Sequence, residues 1–122
     1  GIYKTMDGGK SWKKVLYVSE VVGFSDLELL PGNPNVIYAA AWKAERKPWT
    51  IISGGLNKEG GLYKSINGGK DWIKLKEGLP NGLIGKIDLA VSEVDSSILF
   101  GIISANIFPL RKPIKRIKVW SR

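Results

Sequence analysis

Two carboxylates held roughly 5 to 10 Å apart across a cleft can hydrolyse a glycosidic bond, and Asp26 and Asp88 stand 62 positions apart in matching contexts of this chain. They are the weak catalytic candidates; the structural alternative is a pair of repeated turn or edge acids. Asp7, followed by two glycines, invites comparison with a cation ligand or a general acid. A lone carboxylate lacks the second group that either task requires, so a structural role in the turn is the stronger reading. Trp42 and Trp49 flank Arg46 and Lys47. Exposed indoles stack on sugar rings, which makes these two tryptophans possible glycan contacts, against the alternative that both pack in the interior. After Asn106 come six Lys and Arg residues, no acid, and the aromatics Phe108 and Trp120. Such a segment could hold phosphates or an anionic membrane surface, but a solvated extension is the commoner meaning of a charge run, and nucleic acid is not the expected partner. With no histidine and no cysteine, disulfides, Cys/His zinc sites and every triad built on imidazole or thiolate are excluded. No metal and no cofactor is expected.

The elements that must position these residues repeat. Gly1-Ile2-Tyr3-Lys4-Thr5-Met6-Asp7-Gly8-Gly9-Lys10-Ser11-Trp12-Lys13-Lys14-Val15 lies over Gly61-Leu62-Tyr63-Lys64-Ser65-Ile66-Asn67-Gly68-Gly69-Lys70-Asp71-Trp72-Ile73-Lys74-Leu75 with 8 identities in 15. A second pair of segments, beginning at Asp26 and Asp88, follows with an offset of 62. A self-similar period of this length marks a repeat architecture. Ile2 to Thr5 and Leu62 to Ser65 are short β-prone runs, each leading through a glycine turn into a Trp-led run, the form of a tight hairpin. Leu27 and Leu29 alternate with Asp26 and Glu28 and predict a strand with the leucines buried. Val36 to Trp42 is nearly all apolar and predicts a strand covered on both faces. Helix signals are weak throughout, and Gly/Pro pairs punctuate the runs about every ten residues, as in an all-β chain.

Size and composition agree. A chain of 122 residues makes one domain at most, and 43% hydrophobic with 25% charged residues disfavours disordered and membrane-spanning classes. The net charge is +8, and six of the 19 cations lie in the segment after Asn106.

Thr5-Met6-Asp7-Gly8-Gly9-Lys10-Ser11-Trp12 resembles the Asp-box, or BNR repeat, Ser/Thr-x-Asp-x-Gly-x-Thr/Ser-Trp, and the spacing to the following strands resembles sortilin/Vps10-type β-propellers. In the second copy Ser65, Gly69 and Trp72 match, while Asn67 replaces the aspartate and Asp71 the small hydroxyl residue, the pattern of a decayed copy. The resemblance implies structural roles for Thr5, Asp7, Gly9 and Trp12 and for Ser65, Asn67, Gly69 and Trp72, with both tryptophans in or near the core. Asp7→Ala is then expected to cost more stability than Asn67→Ala.

The fold expected is all-β: a partial propeller over residues 1–105, made of the end of one blade, one full four-stranded blade and the start of a third, with a divergent basic tail over 106–122. Such a chain reads as a fragment of a larger, exported BNR-repeat protein of the kind found in large bacterial glycosyl hydrolase-like proteins. That implies an extracellular or periplasmic location, although no signal peptide is visible. The partners implied are the remaining blades or further copies of the chain, with a protein or glycan ligand. Function reads as a non-catalytic scaffold or recognition module. The alternative is a fragment of a sialidase- or xyloglucanase-like glycoside hydrolase whose catalytic residues lie largely elsewhere.

Overall fold

The computed structural model describes residues 1–54, 59–80 and 82–106. The tail beyond Asn106, including Phe108 and Trp120, lies outside the described residues. Among the described residues every regular element is a strand: β1 (Ile2–Lys4), β2 (Lys13–Leu16), β3 (Val22–Leu30), β4 (Asn33–Lys47), β5 (Thr50–Ser53), β6 (Gly61–Ser65), β7 (Ile73–Leu75), β8 (Leu83–Val91) and β9 (Leu99–Asn106). The chain is all-β, and no described helix is long and apolar enough to cross a membrane.

All pairings are antiparallel and join neighbours in sequence or nearly so. β1 and β2 form one hairpin, β3-β4-β6-β7 a four-stranded sheet with β5 added to the far end of β4, and β8 and β9 a second hairpin. The sequence repeat is also a repeat of register. Asp26 lies opposite Ala40 and Glu28 opposite Tyr38, just as Asp88 lies opposite Ile102 and Ala90 opposite Phe100. Tyr3 opposite Lys14 likewise matches Tyr63 opposite Lys74.

β4 is the central strand of its sheet, and its apolar run is covered on both faces: Ala39, Ala40 and Ala41 are fully buried. Small side chains there let neighbouring layers approach closely. Tyr38, Ala40 and Leu62 on one face of the sheet meet Ile87 and Leu89 of β8 to form the core, which Leu75, Leu79, Leu99 and Ile103 extend. Ile87 and Leu89 alternate with exposed Lys86, Asp88 and Ala90, the period-two pattern of a strand with one wet face. Burying each of these two side chains stabilises the fold by about 1.5–3 kcal/mol.

β3 corrects the expectation for its alternation. Leu27 and Leu29 are 44% and 47% exposed, and Asp26 and Glu28 are the half-buried residues. The pattern marked a strand, but Asp26 faces β8 and engages its backbone, so the leucines point the opposite way.

Candidate functional site

Both glycine turns are built by the side chains of their own ends. In the first, Thr5 Oγ1 accepts hydrogen bonds from Gly9 N at 2.8 Å and Asp7 N at 3.3 Å and donates to Asp7 Oδ1 at 2.8 Å. Asp7 also accepts from Ser11 N at 2.9 Å and Ser11 Oγ at 2.6 Å. The hydroxyl and amide of Ser11, with Thr5, favour the charged form and hold the Asp7 carboxyl down to about 2. The indole of Trp12 donates to Gly9 O at 3.2 Å.

The second turn keeps this geometry with its donors reversed. Ser65 Oγ accepts from Gly69 N at 2.9 Å and donates to Asn67 Oδ1 at 3.1 Å, and Asn67 Oδ1 accepts from Asp71 N at 2.9 Å. Where Ser11 donates to Asp7, Asn67 Nδ2 instead donates to Asp71 Oδ2 at 2.7 Å. The two departures from the first copy thus compensate each other, and Asn67 bonds as fully as Asp7. Gly69 has φ 84°, a left-handed conformation that favours glycine, and it lies beside Trp72, Val15 and Ile37.

The tryptophans of the two turns differ. Trp12 is 60% exposed, contrary to a core position, whereas Trp72 is half-buried. Both rings cross their turns and donate to the equivalent glycine carbonyl, Gly9 O or Gly69 O. Among the described residues only the second turn is bonded by other strands: Lys4 Nζ donates to Gly68 O at 2.8 Å, and Gly68 N donates to Asn35 O at 2.8 Å. Lys4 was not singled out by its sequence, although its recurrence as Lys64 was a usable signal.

Asp26 and Asp88 sit in mid-strand, not at turns or strand ends, and their environments diverge. Asp26 Oδ1 accepts from Leu27 N at 2.8 Å and Oδ2 accepts from Leu89 N at 2.6 Å, tying β3 to β8. Ser25 Oγ donates to Ile87 O at 2.8 Å and makes a second tie to the same strand. Ser25 had no sequence signal of its own, since its repeat equivalent is Ile87. Asp88 forms an exposed ion pair with Lys86 at 2.8 Å. Both Asp26 oxygens thus accept backbone amides, while Asp88 is held by a lysine at the surface.

Trp42 and Trp49 are not brought together. Trp42 is half-buried and donates through Nε1 to Ser53 Oγ at 2.8 Å. Trp49 lies at the tip of the β4–β5 hairpin and is 97% exposed. The hairpin base is pinned by Lys43 and Glu59, 2.9 Å apart. Gly85 permits the close approach of β8, since a Cβ there would lie 2.9 Å from Ser53 Oγ and 3.0 Å from Ser104 O.

An open groove of about 580 Å³ runs between the four-stranded sheet and the β8–β9 hairpin, with Tyr38, Lys64, Lys74, Leu75, Leu99 and Ile103 among its walls. Lys64 Nζ lies 5.2 Å from the centre of the Tyr38 ring, within the range of a cation–π contact. Burial, and next the nearby Lys76 charge, lower the pKa of Lys74. Among the described residues no group of three or more acidic, histidine or cysteine side chains could hold a metal ion. No family model, no curated protein and no solved structure matches this chain.

Proposed function

We propose that this chain is a non-catalytic repeat module of a β-propeller, resembling the Asp-box type, that serves as scaffold and recognition surface. The observation that carries this reading is the use of Asp26. The one acid pair that sequence put forward for hydrolysis has a member whose Oδ1 accepts the next amide of its own strand and whose Oδ2 accepts the Leu89 amide of β8, joining two sheets. The register repeat supports the propeller: a complete four-stranded sheet stands between a hairpin with the register of an outer strand pair and one with the register of an inner pair.

The recognition surface is the β4–β5 hairpin. Its tip projects Trp49 into solvent beside Arg46 and Lys47, a combination suited to a sugar ring or an acidic glycan. Two measurements test the reading together. Soluble plant and bacterial polysaccharides incubated with the chain should release no new reducing ends. Titration with their oligosaccharides should quench tryptophan fluorescence, and Trp49→Ala should abolish the response. Reducing ends that disappear in Asp26→Asn would instead establish the hydrolase alternative.

A further inference from the structure

We propose that Asn67–Gly68 is a site of spontaneous deamidation, held shut by the bonds that cover the second glycine turn, and that its reaction is one-way because the acid it makes faces Asp71. The site exists whether or not the sheets around it belong to a propeller.

An asparagine followed by glycine is the dipeptide in which a main-chain nitrogen most readily reaches the preceding carboxamide, because glycine sets no side chain beside that nitrogen and leaves the backbone free to turn. The second turn demands this pair. Gly68 has φ 69°, and a Cβ on it would lie 3.2 Å from Asn35 Oδ1 and 3.4 Å from Lys4 Nζ, so glycine is favoured there twice over. The residue before it must offer an acceptor to the Asp71 amide and a donor to the Asp71 carboxylate. The carboxamide of Asn67 supplies both, through Oδ1 at 2.9 Å and Nδ2 at 2.7 Å. The bonding that builds the turn therefore fixes a reactive sequence within it.

The reaction consumes only water. The Gly68 nitrogen bonds to Asn67 Cγ and gives up its proton to solvent, while the Cγ–Nδ2 bond breaks and ammonia leaves with the electron pair, closing a cyclic imide. Water then adds to one of the two imide carbonyls. Rupture of the bond from nitrogen to Cγ gives aspartate; rupture of the bond from nitrogen to the main-chain carbonyl gives isoaspartate, in which the chain runs through Cγ. A carboxamide and water have become a carboxylic acid and ammonia, and nothing is oxidised or reduced.

In the folded chain both reacting groups are engaged. Gly68 N donates to Asn35 O at 2.8 Å, and Gly68 O, on the other side of the residue, accepts from Lys4 Nζ at 2.8 Å. The Asn67 carboxamide is held at both ends, Oδ1 by Ser65 Oγ and the Asp71 amide and Nδ2 by the Asp71 carboxylate. Gly68 itself is buried. Attack requires the nitrogen to leave Asn35 and the carboxamide to leave Asp71, so the rate follows opening of the turn.

The product cannot restore what the carboxamide held. Aspartate at position 67 puts a carboxylate where Nδ2 met Asp71 Oδ2 at 2.7 Å, and two carboxylates sharing one site do not both ionise at their ordinary pKa. The first turn avoids this conflict by placing Ser11 opposite Asp7. Isoaspartate adds a methylene to the main chain of a turn whose bonds leave no slack.

Peptide mapping by mass spectrometry of the full chain, kept in mildly alkaline buffer with and without guanidinium chloride, reads the rate at Asn67. In denaturant it should match that of Asn81–Gly82, the same dipeptide elsewhere in the chain. In buffer alone Asn67 should react at least roughly tenfold more slowly than in denaturant. Lys4→Met, which removes one tie on Gly68, should speed the reaction severalfold in buffer and leave the denaturant rate unchanged. Asn67→Asp should lower the midpoint of urea unfolding, and adding Asp71→Ser, which recreates the Asp–Ser pairing of the first turn, should restore it. No reaction at Asn67 in denaturant, or a rate in buffer equal to or above that in denaturant, would overturn the shut site. An Asn67→Asp chain as stable as the parent would overturn the one-way product.

Discussion

Asp7 is fully exposed yet tightly bonded, and its acidity reports the turn directly. Ser11 supplies the largest influence through its hydroxyl and the next through its amide, followed by the Thr5 hydroxyl. Because the folded-state pKa of about 2 lies below the ordinary 3.8, the carboxylate stabilises the turn fully above about pH 4 and loses that contribution as pH falls through the folded value. Ser11→Ala should raise the Asp7 pKa toward 3.8 and move the acid unfolding limb to higher pH, as followed by carboxyl carbon NMR. An unchanged titration would mean that Ser11 does not hold the carboxylate in solution. The second turn shows how far residue types alone could be read. Asn67 and Asp71 looked like decay because each was compared with its counterpart separately; as a pair they exchange donor and acceptor and keep the bond. Asn67 and Asp7 each make three side-chain hydrogen bonds, so the number of bonds does not separate the two turns.

At the scale of elements, the tie between β3 and the β8–β9 hairpin distinguishes two acids that the repeat makes equivalent. Asp26 accepts the Leu89 amide across the sheet boundary, whereas Asp88 meets only Lys86 at the surface. A hydrogen bond to a charged acceptor contributes about 1.5–3 kcal/mol, and an exposed ion pair about 0–1 kcal/mol. In dilute solution Asp26→Ala should lower unfolding free energy by about 1.5–3 kcal/mol in urea titrations, with Asp88→Ala within about 0.5 kcal/mol of the parent. Equal losses would remove the assigned role of Asp26. Strand class, turn positions and the covered run of β4 were legible in sequence because they depend on local spacing: period-two patterning, glycine turns and a run of apolar residues. The facing of β3 was not. Which side of an alternating strand is inward depends on what packs against it, and the bond from Asp26 to β8 turns the leucines outward. Trp49 was undecided for the same reason, since an indole at a hairpin tip and one beneath it have the same sequence.

For the whole molecule, the repeat that made the sheets legible also shows where burial is incomplete. Leu27, Leu29 and Ile102 leave apolar side chains exposed, and covering them would add apolar burial worth about 25 cal/mol per Å². If association covers these side chains, it favours the folded chain by mass action, and stability must rise with protein concentration. Thermal unfolding followed over a wide dilution series should therefore show a Tm that climbs with concentration. Ile102→Lys should leave the low-concentration Tm nearly unchanged, because the side chain is 71% exposed in the single chain, and should remove the climb, because it places a charge where the repeat buries Ala40. Glu28→Gln offers a control on β3, half-buried and opposite Tyr38 within the chain's own sheet, and should retain the climb. A Tm independent of concentration in the parent would mean that no association covers Leu27, Leu29 and Ile102 in solution.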